Sequence, residues 1–254
     1  MKKIIFFDID NTIVDSSTGK VPPQTMQMLE ELSKRDDICL GIATGRGPGR
    51  MSIIEDILHY FDSFVFSNGS YVTFNDQVIY DKPIENNRIE EVLKVANQFD
   101  LLMGVSGLTE DAIVRLQKKE QIDLKNTAKL TPDYYLKNKV YQVWLVASDR
   151  KRLLKSLTKL KTFNQYLWTK SGVDLTVDHH SKGTGILKVK ALLDPIKVIC
   201  IGDGHNDVDM IEVADIGIAM GNSNVSILKE KADLVGPCVT DDKLYEFLKN
   251  HKII

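Results

Sequence analysis

Apolar residues along the chain gather in short continuous runs, and several of these runs end in a cluster of polar residues. Residues 3–7 are apolar and β-prone and predict a buried strand. Pro22-Pro23 opens helical spacing through Met26, Leu29 and Leu32, with proline suited to a first helical turn. Residues 38–43 predict a second buried strand, residues 51–60 a helix, and residues 64–66 a third strand before the turn signal Asn68-Gly69. Residues 71–74 and 78–80 then read as a hairpin.

From Asp81-Lys82-Pro83 to about His180 the pattern is mixed. Helices are predicted at 88–99, 109–120 and 151–160, and strands at 101–105, 141–147 and 173–177. Strict alternation returns with a helix at 182–192, an apolar strand at 197–201, a helix at 206–214 and a strand at 216–219. A helix at 224–230, a strand at 234–235 and a closing helix at 244–248 follow. Alternation at both ends implies one α/β domain built around a parallel sheet, residues 1–82 plus 181–254. Residues 83–180 read as an inserted α+β domain.

Composition narrows the class. A hydrophobic content of 43% with 27% charged residues is that of an ordinary globular chain. A formal net charge of -2 gives no basic bias, so nucleic acid is not an expected partner. No apolar run approaches the roughly 18 residues of a membrane span, so no membrane partner is expected. The three cysteines, at 39, 200 and 238, show no Cys-x-x-Cys spacing. Cys39 and Cys200 lie in apolar runs and read as inert thiols, so a cytoplasmic location is expected.

The chemistry gathers where the predicted strands end. Asp8 and Asp10, two apart after the first strand, project to one face. Asn11 and Thr12 add turn chemistry and a hydroxyl, although Asp and Asn are also ordinary turn formers. Thr44-Gly45-Arg46 follows the second strand, Lys182-Gly183 opens a helix, and Asp203, Asn206 and Asp207 follow the strand at 197–201. In open parallel sheets ligands bind outside the carboxyl ends of strands, so these clusters should meet on one edge. Four carboxylates there would repel, and a divalent cation with Lys182 would offset them. Oxygen donors without Cys or His favour Mg2+ over zinc. The residues alone therefore point to phosphoryl transfer through an aspartate.

Asp8-Ile9-Asp10-Asn11-Thr12, Thr44-Gly45-Arg46, Lys182-Gly183 and Gly202-Asp203-Gly204-His205-Asn206-Asp207 together resemble the four motifs of the haloacid dehalogenase superfamily. The long insertion between the second and third motifs resembles its Cof-like subfamily. The resemblance runs from Lys3 to about Val235 and takes in Asn68-Gly69 and Ala219-Met220-Gly221-Asn222. It implies a Rossmann-like, doubly wound core with a C2B-type α+β cap that closes over the site and contacts substrate. It also implies a Mg2+-dependent phosphatase acting on a small phosphorylated metabolite, as a monomer or small homo-oligomer. Asp8 would be the nucleophile and Asp10 the acid and base, with Thr44 and Lys182 holding the phosphoryl oxygens. Thr12, Gly45, Arg46 and Asn206 would contact phosphate or substrate. Asp8, the Asp10 carbonyl, Asp203 and Asp207 would serve the metal.

Two positions depart from the family pattern. Asn11 stands where glycine is usual, which asks for a left-handed residue that Asn tolerates. His205 occupies a variable position and carries no role. The glycines at 45, 47 and 49 lack the G-x-G-x-x-G spacing, and no Walker-type lysine loop occurs, so dehydrogenase and P-loop kinase readings lose their support. His179 and His180 face opposite ways in an extended segment and suggest a hinge or rim. Trp144 and Trp168 read as core of the inserted domain. A phosphomutase or phosphotransferase sharing the aspartyl-phosphate, or a phosphoacceptor module without turnover, stays as an alternative.

Overall fold

The computed structural model describes residues 2–117, 128–168, 171–177, 180–193 and 197–254. In chain order, β1 (Lys3–Phe7), α1 (Pro23–Ser33), β2 (Ile38–Ala43), β3 (Ser63–Phe66), β4 (Tyr71–Phe74) and β5 (Gln77–Asp81) come first. Then come α2 (Asn86–Gln98), β6 (Leu102–Ser106), β7 (Asp111–Arg115), β8 (Lys129–Leu130), α3 (Tyr134–Lys137) and β9 (Gln142–Val146). α4 (Arg150–Leu157), β10 (Phe163–Leu167) and β11 (Gly172–Val177) precede α5 (Lys182–Leu192) and β12 (Lys197–Gly202). The chain closes with α6 (Val208–Val213), β13 (Ile216–Ala219), α7 (Ser226–Lys231), β14 (Leu234–Val235) and α8 (Leu244–Asn250).

These elements form two units. The first contains residues 1–44, 51–80 and 181–254; the second contains Asp81–His180 together with Gly45–Arg50. The grouping of residues 45–50 with the second unit is not visible in the sequence pattern.

The first unit is a doubly wound α/β sheet of order β14-β13-β12-β1-β2-β3-β4-β5. β1 lies between β12 and β2 and is parallel to both, with Phe7 opposite Ile201 on one side and Ile42 on the other. Successive residues of these strands enter opposite layers, as the period of two requires. Ile5, Phe7, Leu40 and Ile201 pack beneath α1 and α8, while Ile4, Phe6, Val198 and Cys200 pack with Ile186 and Val189 of α5. Burial on both faces is why these strands read as continuous apolar runs. The strand order reverses at β1 and β12, which creates a crevice at their carboxyl ends.

The second unit is a six-stranded sheet of order β10-β11-β9-β6-β7-β8, antiparallel except for the short β7–β8 pair. Its helices cover one face, where Val143, Leu145, Val173 and Leu175 are buried. The helix predicted at 109–120 is replaced over Asp111–Arg115 by strand β7; residues 118–127 lie outside the described residues. Pairing with β6 overrides the helix-favouring flanks. Trp144 is buried in a small apolar cluster with Leu102, Ile113 and Val146. Trp168 is not core: it is 50% exposed, and its Nε1 donates to Asp174 at 2.9 Å. His180 is buried in this unit, whereas His179 lies outside the described residues. Among the described residues no helix is long and apolar enough to cross a membrane.

Candidate active site

The polar cluster at the crevice is built by three strand ends and one helix start. β1 delivers Asp8, whose amide donates to the Ile201 carbonyl of β12 at 2.9 Å. The chain then turns sharply through Asn11, at φ +58°, the left-handed conformation its position calls for. Asn11 also contributes a side-chain hydrogen bond to Asp203, a contact that sequence reasoning did not supply. Thr12 is buried, and its Oγ1 has no hydrogen-bond partner among the described residues.

Lys182 enters from α5. Ser181 caps that helix by accepting from Thr184 N at 3.2 Å, and Thr184 Oγ1 accepts from Ser181 N at 3.0 Å. This reciprocal box places a lysine in the first turn, where the helix dipole disfavours a cation. The carboxylates offset that cost. Lys182 Nζ donates to Asp8 Oδ1 and to Asp207 Oδ1, each at 2.6 Å, and its side chain has no exposed surface. Gly183 fits α5 against α6, since a Cβ there would stand 2.5 Å from the Asp209 carbonyl oxygen.

The loop after β12 folds around Asp207. Its Oδ2 accepts from Asp203 N at 2.8 Å and Gly204 N at 2.7 Å, so this buried acid fixes the backbone beside it. Ser223 Oγ donates to the Asp203 carbonyl at 2.6 Å. Asn222 donates to the Asn11 carbonyl at 3.0 Å and accepts from Val239 N at 2.8 Å, tying the turn after β1 to the C-terminal segment. His205 is exposed.

Charge in the cluster is unbalanced. Burial drives the Asp8 carboxyl well above the usual carboxylate range; Lys182 opposes this, while Asp207, Asp203 and Asp10 reinforce it. Burial and the Asp207 charge push Asp203 up to about 7. Burial works against the Lys182 ammonium, yet Asp207 and Asp8 together hold its pKa above that of a free lysine. Asp8, Asp203 and Asp207 offer carboxylate oxygens within 4.8 Å of one another, a set that could hold a metal ion. All-oxygen donors and surplus negative charge suit a hard divalent cation, so the residues present fit such an ion. Asp10, half-buried, adds no carboxylate to that set.

The structure thus gathers Asp8, Lys182, Asp203 and Asp207. Thr44, buried at the end of β2, accepts from Asn68 N at 3.1 Å through its carbonyl, and Asn206 Nδ2 donates to Asn68 Oδ1 at 2.9 Å. Gly45 and Arg46 group with the second unit instead. There the Gly45 carbonyl accepts from Gln142 Nε2 at 3.2 Å, and Arg46 Nη1 donates to the Arg50 carbonyl at 3.5 Å.

The family profile described as haloacid dehalogenase-like hydrolase matches residues 5–248. The chain belongs to that family. This hydrolase is 33% identical over 251 residues to a Bacillus subtilis protein provisionally named phosphatase YkrA, covering 94% of each chain. It is 25% identical to a phosphoglycolate phosphatase of Methanopyrus kandleri, covering 98% of this chain and 97% of that one. Its fold matches that of the subclass IIB sugar phosphatase BT4131 with a TM-score of 0.87 over the whole of both chains, at 22% identity. By family and by curated relatives the hydrolase is a phosphatase.

Proposed function

We propose that this phosphatase hydrolyses phosphate monoesters of small metabolites, sugar phosphates or similar compounds, through a covalent phosphate on Asp8. The observation that carries the reading is the buried Lys182 ammonium held at 2.6 Å from both Asp8 and Asp207 at the strand switch point. A buried cation beside a carboxylate at a strand end is suited to a phosphoryl group that develops charge on its oxygens. The names of the curated relatives support a small phosphorylated substrate.

In the first step an Asp8 carboxylate oxygen attacks phosphorus, and the bond from phosphorus to the ester oxygen breaks. Lys182 holds one Asp8 oxygen, so the other is the attacking atom. Asp10 gives its proton to the departing oxygen. In the second step water attacks the same phosphorus, Asp10 takes the water's proton, and the bond to Asp8 breaks to release phosphate. Thr44 and Lys182 hold the phosphoryl oxygens. Asp8, Asp203 and the Asp10 carbonyl would hold Mg2+, which when bound supplies positive charge to the phosphoryl group. Asp207, with both oxygens already accepting hydrogen bonds, orients Lys182 and the Asp203 backbone.

The test is phosphate release from a panel of phosphorylated metabolites, with Mg2+ or with chelator, by the wild type and Asp8→Asn. Release that requires both Mg2+ and Asp8 is expected. Full activity in folded Asp8→Asn would overturn the covalent route.

A further inference from the structure

The turn between β3 and β4 is strained and fully enclosed. Ser67, Asn68 and Gly69 have φ of 47°, 52° and 91°, three successive left-handed residues, all buried. Such backbone is costly for Ser, easier for Asn and free for Gly. Side-chain bonding by the neighbouring hydroxyls does not offset it, because Ser67 Oγ and Ser70 Oγ are buried without partners among the described residues. Strain held in a buried turn points to a role that the turn performs for its surroundings.

Those surroundings are three of the four motif loops. Asn68 N donates to the Thr44 carbonyl at 3.1 Å. Asn68 Oδ1 accepts from Asn206 Nδ2 at 2.9 Å, across 138 residues of sequence. Gly69 lies against Ser181, the cap of the helix that carries Lys182, so closely that a Cβ would stand 2.1 Å from the Ser181 carbonyl oxygen. Asn68 is therefore bonded at once to the residue after β2 and to the loop of Asp203 and Asp207, within a turn seated on the start of α5.

We propose that Asn68 is a positioning residue for phosphoryl transfer: it holds Asn206, and with it the loop of Asp203 and Asp207, in register with Thr44 and Lys182. The residue type follows from two demands. The backbone must be left-handed, which Gly or Asn accepts, and the side chain must present an acceptor, which Gly lacks. Asp would meet both demands but would bring another charge to a site already rich in acids. The inference rests on the proposed phosphatase reading, and its test separates the two.

Asn68→Gly keeps the left-handed backbone and removes the side-chain amide with its acceptor. With p-nitrophenyl phosphate and Mg2+, it is expected to lower kcat about 10–100-fold with KM within about threefold, while Tm stays within a few degrees. Asn206→Ala should lose a similar factor. The double variant should be no worse than the poorer single, because both remove one bond. Asn68→Asp, which keeps the acceptor, should lie between wild type and Asn68→Gly. Multiplying losses in the double variant, or an Asn68→Gly enzyme within threefold of wild type, would overturn the proposal. If the wild type hydrolyses no phosphate ester, the phosphatase reading fails instead. The tie is then judged on the Asn206 side-chain amide resonance, which must shift in Asn68→Gly; an unchanged resonance sinks it.

Discussion

Lys182 and Asp207 meet at 2.6 Å, and neither side chain is exposed to solvent. A buried pair of this kind gives little net stability, but breaking it leaves an uncompensated charge. Lys182→Met leaves Asp8 and Asp207 facing each other without their cation. The expected loss is about 3–5 kcal/mol in urea unfolding, together with loss of phosphate release. A variant that stayed within about 1 kcal/mol of wild type would show that the two acids are neutralised in another way.

Relief of the acid cluster by a cation predicts ligand-linked stability. Mg2+ at about 100 times its Kd should stabilise the fold by about 2.7 kcal/mol, seen as a rise in Tm that an equal ionic strength of NaCl does not produce. Asp203→Asn should remove most of that rise. An identical rise in the variant would place the ion elsewhere.

The second unit carries its own titrating group. Burial pushes Asp174 on β11 up to about 7 from 3.8, while hydrogen bonds from Trp168 and Gln142 and the charge of Arg50 pull the other way. A folded-state pKa above the unfolded one gives stability that is fully present below the unfolded pKa and is lost as pH rises through the folded value. Wild type should therefore lose stability between about pH 4 and pH 7, on the order of 4 kcal/mol, and level off above. Asp174→Asn should flatten that slope, as measured by urea melts across the range. Equal slopes in the two proteins would mean that Asp174 is ionised throughout.

Close packing of α5 on α6 gives a steric prediction. Gly183→Ala would drive a methyl group to 2.5 Å from the Asp209 carbonyl oxygen, a backbone atom that cannot step aside alone. The helices must part, which costs about 1–3 kcal/mol and displaces the adjacent Lys182. Phosphate release should fall more than Tm suggests. A variant with unchanged activity and unchanged Tm would show that the helix pair gives way freely.

Legibility in the sequence followed burial. Strands such as β1 and β12, covered on both faces, are continuous apolar runs, and their polar termini stand out for that reason. In the second unit β6 and β9 are buried along their whole length, but the outer strand β10 mixes polar with apolar residues. Asp111-Ala112-Ile113-Val114-Arg115 alternates only briefly, and the flanking Glu110 and Gln117 favour a helix reading that pairing with β6 overrides. β10 does not stand out in the sequence, because Asn164 and Gln165 interrupt its apolar residues. Trp168 reads as core because an indole is mostly apolar, but its ring is half exposed and its N–H is satisfied by Asp174. Within the site the acids and the lysine were legible as charged residues at strand and helix ends. The tie from Asn68 to Asn206 was not, because a neutral amide in a turn looks like turn chemistry until its partner is in view.

The grouping of Gly45–Arg50 with the second unit has a consequence for how this chain can be cut and recombined. Arg50 pairs with Asp111 at 3.2 Å, and Gly49 fits so tightly against Thr109 that a Cβ would stand 2.0 Å from its carbonyl oxygen. The second unit is therefore not one continuous cassette. Excising Asp81–His180 alone would strand a six-residue fragment shaped to a surface that had gone with the excised piece. A transplant of this unit into another host needs both segments, each carried across its own pair of joints.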